Sequence, residues 1–332
     1  MAVDGSAGQD RGEEGVPRRI RFLGHATLLI DLGYVRILTD PLLRHRIAGL
    51  IWRHPSPRTE LDHAVDAVLI SHMHQDHLDV PSLKKLGGNV PLLVPPRAGG
   101  WLRRRGFKNV HELRAGQSVA VSESAATGEP SGIHTTLRPG EVRVRATIAN
   151  HTGFRPPFGP NGGCLGFVVE GGIRIYFAGD TDLFPEMDAL GPIDVALLPV
   201  AGWGPTLGPG HMNAHRAAQA LRLIRPKIAI PMHWGSFAPI GMHFHPWEYL
   251  TRPPLEFREQ AARLAPEVEV RVLEPGEWLD LEERAGEEPL PPGPHHAYHG
   301  PPSAARREHR LRRRPHGPRA RGRGSDGGEG GS

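Results

Sequence analysis

The sequence predicts a mixed α/β (α+β) fold in which two β-sheets pack together and are covered by helices. Three observations predict it. Twelve short apolar runs, rich in Val, Ile and Leu, are bounded by Gly, Pro, Asn and Asp. Stretches with helical apolar spacing lie between some of them. Segments 1–17 and 283–332 are too poor in large apolar residues to build a core, which leaves 18–282 as one domain.

In chain order the strands are IRFLG (20–24), TLLID (27–31) and VRILTD (35–40), the last two reading as a hairpin that turns at Gly33. AVLIS (67–71) and PLLVP (91–95) follow, with PSLKKL between them starting on a proline suited to a first helical turn. Residues 122–140, SESAATGEPSGIHTTLRPG after Val121, read as an exposed loop. Next come VRVRATIA (142–149), LGFVVE (165–170), IRIYFAGD (173–180) and VALLPV (195–200). NAHRAAQALRLI (213–224) is a helix with Asn213 as its cap. KIAIPM (227–232), the helix PLEFREQAARLA (254–265), VEVRVL (268–273) and EWLDL (277–281) complete the set.

Bulk properties narrow the function classes. The formal net charge is +4, but the nine arginines of residues 301–332 face only Glu308, Asp326 and Glu329. That tail carries +6 and the rest of the chain −2, so specific nucleic-acid binding is not expected. Cys164 is the sole cysteine, so no intrachain disulfide forms, and it sits in an apolar run that suggests a buried side chain. No apolar stretch is long enough for a membrane span and the first residues lack a signal-peptide core, so a cytoplasmic protein is expected. Nothing in the composition fixes an oligomeric state.

The chemistry is concentrated in His72-Met73-His74-Gln75-Asp76-His77, directly after an apolar strand. Imidazole nitrogen and carboxylate oxygen are ligands for zinc, iron or manganese. Residues two apart on a strand face one side, which brings His72 and His74 to one ion. A turn beyond them carries Asp76 and His77 towards a second. A chance H-x-H-x-D-H at this composition is expected on the order of 0.003 times per chain.

This motif resembles the signature of the metallo-β-lactamase-fold hydrolases, and the resemblance runs from about residue 20 to residue 281. It implies a four-layer αββα sandwich. It also implies further ligands: His151 in ANHTG for the first metal, Asp180 in FAGDTD as a bridge, and His233 in IPMHWGSF for the second. Two divalent ions are implied, zinc first, with manganese or iron as alternatives. FLGHATLLIDLGYVRILTDPLL and HMNAHRAAQALRLIRPKIAIPMHWGSF further resemble the branch containing ascorbate-6-phosphate lactonase and N-acylphosphatidylethanolamine-hydrolysing phospholipase D. There His211 borders the active site, so Asp76 and His211 are the expected catalytic residues. His25 and Asp40 lie in the opening motif as possible supports behind the ligands. His243 and His245 read as loop packing, and His295, His296 and His299 as tail.

The expected reaction is attack of a metal-bound hydroxide on an ester, with the two ions roughly 3.5–4 Å apart. Aromatic residues Ile51, Trp52, Phe154, Phe158, Trp203, Phe237 and Phe244 (Ile51 the aliphatic exception) sit near the motifs, as do Arg44, Arg46, Arg53 and Arg155. An apolar rim with arginines suits a small-molecule or lipid-like phosphodiester first, and a small lactone, plain or phosphorylated, second. A nuclease lacks its usual extra domain here, a diiron flavoprotein lacks room for a flavodoxin domain, and a non-catalytic metal-binding protein has no reason to keep every ligand.

Overall fold

The computed structural model describes residues 17–47, 50–52, 65–123, 133–138, 140–155, 157, 159–202, 207–241 and 248–281. Segments 1–16 and 282–332, most of the 122–140 loop, His243 and His245, Arg53, Phe158, Trp203 and Phe244 lie outside them. No helix among the described residues is long and apolar enough to cross a membrane.

The first half of the chain begins with β1 (Arg19–Gly24), β2 (Thr27–Asp31) and β3 (Arg36–Thr39). β2 and β3 form the expected hairpin, with Gly33 at φ 87° and Asp31 accepting from the Gly33 amide. Two short strands, β4 (Arg46–Ile47) and β5 (Leu50–Trp52), precede β6 (Ala67–Leu69). Helix α1 (Val80–Lys85) starts where Asp79 accepts from the Ser82 amide and Pro81 occupies the first turn. β7 (Leu92–Val94), α2 (Ala98–Arg103), β8 (Val110–Glu112) and β9 (Ser118–Val121) follow.

β10 (Ile133–His134) pairs with β9, which corrects the expectation that 122–140 is all loop. The second half runs through β11 (Val142–Ile148), β12 (Leu165–Glu170), β13 (Arg174–Phe177), β14 (Val195–Pro199) and α3 (Ala214–Ile224). It ends with β15 (Ile228–Met232), β16 (Phe237–Pro239), α4 (Glu248–Thr251), α5 (Pro253–Leu264), β17 (Glu269–Val270) and β18 (Trp278–Asp280).

One sheet has the order β18-β1-β2-β3-β6-β7-β8 and the other β10-β9-β11-β12-β13-β14-β15-β17. Each is antiparallel in its first part and parallel in its second: β3-β6-β7-β8 in one, β13-β14-β15-β17 in the other. Period two sorts the side chains. Leu28 and Ile30 of β2, with Ala67 and Leu69 of β6, face β11–β14 across the main core. Leu29 and Val68 point the other way, onto Leu83 of α1 and Trp101 and Leu102 of α2. Ala217, Ala218 and Leu221 of α3 and Phe257 and Ala261 of α5 cover the second sheet. The layers are therefore helix, sheet, sheet, helix, the expected sandwich. Parallel strands end together, so the loops leaving β3, β6, β13 and β15 meet at one edge. β16, β5 and β4 form a small separate sheet.

Candidate metal centre

All seven expected ligand residues meet at that edge. His72 and His74 lie beyond the end of β6 at Leu69, so their convergence comes from an irregular loop and not from strand alternation. The segment then turns, with the Leu78 amide donating to the His74 carbonyl at 2.9 Å. His151 follows β11, Asp180 follows β13 and His233 follows β15. Backbone strain collects here. His25, Asp40 and His233 all have positive φ (60°, 32° and 61°) without being glycine, and the His233 amide donates to the His25 carbonyl. Gly179 (φ 60°) is obligatory, because a Cβ there would sit 2.5 Å from Ser71 Cβ.

The inner ring nitrogens form two groups. His72 Nε2 is 2.8 Å from His74 Nδ1, which is 3.2 Å from His151 Nε2. His77 Nε2 is 3.1 Å from His233 Nε2, and Asp76 Oδ2 lies 3.5 and 3.6 Å from those two atoms. Asp180 stands between the groups: Oδ2 is 3.9 Å from His72 Nε2 and 3.2 Å from His77 Nε2, and Oδ1 is 3.3 Å from His233 Nε2. These clusters are able to bind metal.

The outer nitrogens show why the inner ones are free to act as ligands. His151 Nδ1 donates to the Gly210 carbonyl and His233 Nδ1 to the Ala201 carbonyl. His77 Nδ1 donates to Asp40 Oδ2 at 2.7 Å. Ser71 Oγ donates to that same oxygen at 2.5 Å, and so accepts from His72 Nδ1. Each bond places the proton on the outer nitrogen and aims a lone pair inward. Lone pairs about 3 Å apart repel unless an electrophile is shared between them. Asp180 Oδ1 is buried without a hydrogen-bond partner, as a ligand atom would be. The donor set of imidazoles and carboxylates suits a divalent transition metal.

Electrostatics agree. Burial opposes ionisation of Asp76, but the charge of His77 and bonds from His233, His25 and His77 hold its carboxyl well below the usual range. Burial likewise opposes ionisation of Asp180, and the charges of His233 and His77 outweigh it. Burial drives the His72 pKa well down and that of His151 to about 4. His77 is the exception among these imidazoles: burial lowers its pKa, but the charges of Asp180, Asp76 and Asp40 outweigh that and raise it well above the usual range, so in the metal-free site a proton stands among the ionised carboxylates where a cation would bind.

Around this core, His25 Nε2 lies 3.0 Å from Asp76 Oδ2, and Asp40 supports both His77 and, through Ser71, His72. His211 reaches the centre: Nε2 is 3.4 Å from Asp180 Oδ2, Nδ1 donates to the Gly208 carbonyl, and its ring lies edge-on to His151.

The expected substrate wall is only partly present. Phe154 is exposed, but Phe237 is fully buried against His25 and within the cluster of Leu42 and Ile47. Two of the arginines expected at a phosphate are engaged elsewhere. Arg44 forks onto Asp79, and Arg155 donates to the Met73 and Leu78 carbonyls. Arg46 is exposed in β4. The expected buried environment of Cys164 is found in part: it is half-buried, and burial pushes its thiol pKa up.

Residues 35–234 match a family described as a beta-lactamase superfamily domain. The chain is 34% identical over 267 residues to a protein of Deinococcus radiodurans named UPF0173 metal-dependent hydrolase, across 79% of this chain and 99% of that protein. It is 32% identical over 266 residues to a Methanopyrus kandleri protein of the same name, across 78% of this chain and 98% of that one. Among solved structures its fold is similar to Igni18, a metallo hydrolase from Ignicoccus hospitalis, with a TM-score of 0.59, 24% identity, and coverage of 80% of this chain and 98% of that one.

Proposed function

Because the chain belongs to the UPF0173 metal-dependent hydrolases of the metallo-β-lactamase superfamily, we propose that it is a two-metal hydrolase of small esters. The observation that carries this is the pair of inward-facing donor groups sharing Asp180. His72, His74 and His151 would hold one ion and Asp76, His77 and His233 the other, with Asp180 placed between the two groups. Two divalent ions, zinc first, would supply Lewis acidity towards a carbonyl or phosphoryl oxygen and would acidify a bound water.

The protein's own groups do the rest. Asp40 and Ser71 hold His72 and His77 in the tautomer that presents Nε2. Asp76, fixed by His25, belongs to the catalytic centre as well as to the second metal. His211 is the proton donor. Burial lowers its pKa, but the bond to and charge of Asp180 outweigh that and raise it. A proton held on Nε2 can pass to a leaving oxygen.

The engagement of Arg44 and Arg155 reorders the substrates. A lactone or carboxylic ester comes ahead of a phosphodiester, since the arginines meant for a phosphate serve Asp79 and backbone carbonyls. Exposed Phe154 favours a substrate with an apolar arm, and the opening motif and the HMNAHR run support the lactonase–phospholipase branch.

The test compares kcat/KM on a lactone and on an acyl-bearing phosphodiester of similar size, with wild type and His211→Gln. Lactone turnover should be at least tenfold faster, about 1.4 kcal/mol of transition-state preference. His211→Gln should lose roughly 10²–10⁴-fold in kcat with its metals retained. A faster phosphodiester would restore the other order, and an unchanged kcat would remove His211 from the mechanism.

A further inference from the structure

We propose that Arg155 is the positioning residue of the ligand loop, tying the segment that carries His74, Asp76 and His77 to the loop that follows His151. Its Nη1 lies 2.9 Å from the Met73 carbonyl and 2.7 Å from the Leu78 carbonyl. One nitrogen with two hydrogens thus serves the carbonyls on either side of positions 74–77. Met73 and Leu78 are fully buried, so these carbonyls need a donor from the protein. Within the segment, the His77 and Leu78 amides return to the His74 carbonyl. Charge-assisted bonds from a guanidinium are the stronger kind.

Arg155 is itself held at its other side. Its guanidinium carbon lies 4.7 Å over the Trp101 ring. Its backbone is pinned in a small loop closed by the Phe154–Asn161 bridge, by the Arg155 amide on the Pro160 carbonyl, and by the Gly159 and Gly162 amides on the Arg155 and Gly153 carbonyls. At the base of that loop the backbones of Gly153 and Gly163 approach too closely for a side chain: a Cβ on Gly153 would lie 2.0 Å from the Gly163 carbonyl oxygen. The loop springs from His151, so Arg155 fixes the spacing between one ligand of the first group and the segment that feeds both. Its Nη1 is spent on backbone carbonyls, where an anion-gripping arginine would direct it at the substrate.

This inference rests on the two-metal reading. Its test uses full-length Arg155→Met, which keeps the stem and loses the donors, and Arg155→Lys, which keeps charge and donors. The readouts are zinc affinity by chelator competition, amide exchange over residues 73–78 in the metal-free protein, and KM against kcat on an uncharged ester. Arg155→Met should bind zinc about 10–100-fold more weakly, exchange faster over 73–78 and lose kcat at little changed KM. Arg155→Lys should recover part of each. Wild-type zinc affinity and exchange in Arg155→Met overturn the inference. So does a defect confined to KM for anionic substrates, which makes Arg155 a substrate contact. If the methionine variant does not fold, Arg155→Lys decides: affinity between wild type and tenfold weaker, with intermediate exchange, supports the clamp, and no change in either overturns it. Failure of the two-metal reading appears separately, as wild type that takes up no zinc, while the exchange measurement needs no metal.

Discussion

At the scale of single residues, the centre separates ligands by what stands behind them. Asp180 lies within 4 Å of inner nitrogens from both groups, whereas Asp76 approaches only His77 and His233 among the proposed ligands. Asp180→Ala should therefore lose both ions. Asp76→Asn should weaken mainly the second, because an amide is a poorer ligand than a carboxylate. Elemental analysis of the two variants checks this, and full occupancy in Asp180→Ala contradicts it. Cys164 gives a pH test. Burial raises its thiol pKa, so the nucleophilic thiolate is disfavoured in the folded state. Its alkylation should be far slower than that of a free cysteine near pKa 8.5 throughout pH 7–9, and should still be climbing about tenfold per pH unit at pH 9, where the free thiol levels off. A rate as fast as the free thiol's that levels off by pH 9 contradicts the raised pKa. Of the residues gathered at the centre, His72, His74, Asp76 and His77 stood out through the spacing of H-x-H-x-D-H, while His151, Asp180 and His233 were expected only from the family resemblance. The roles of Arg155, Arg44 and Phe237 were not legible, because a sequence records a charge or a ring near a motif but not whether it turns towards solvent, a carbonyl or the core.

At the scale of elements, legibility followed periodicity. The runs TLLID, VRILTD and VALLPV are apolar enough to announce buried strands, and NAHRAAQALRLI carries both cap and stripe. Helix α2 was missed because its sequence, AGGWLR, carries two glycines, which disfavour helix; in the fold the Gly99 and Gly100 amides donate to the Glu112 carboxylate. β8 (VHE) and β10 (Ile133–His134) are too short and too polar to stand out, and only their neighbours in the sheet make them strands. The alternation assigned to His72 and His74 stopped three residues early, at Leu69, since strand propensity does not mark where pairing ends. Element α3 offers its own measurement. Asn213 Oδ1 accepts from the Arg216 amide at 2.9 Å, and the Met212 amide donates to the Thr181 carbonyl, so the cap fixes the segment that bears His211. Asn213→Ala should cost about 1 kcal/mol and lower Tm by about 2–4 °C, with a fall in kcat and both metals retained. A loss of metal with unchanged Tm contradicts this separation of helix cap from metal centre.

At the scale of the molecule, the sandwich explains why so distant a set of residues meets. Each sheet switches from antiparallel to parallel, and the parallel strands of both release their chains at the same edge. Positions from His25 to His233 are thereby gathered without a dedicated subdomain, over a core shared by both sheets. The fold class could be read in advance because the apolar strand runs and the helical stripes between them lie in the order the two sheets and their covering helices need. The substrate could not, because it depends on which rim side chains are left free by packing. The central claim is that this edge holds two ions per chain. The measurement that tests it most directly is the metal-to-protein ratio, by elemental analysis, of protein stripped with chelator, reconstituted with zinc and desalted. The expected result is close to two equivalents per chain; a ratio of one or less would contradict the shared, two-group centre.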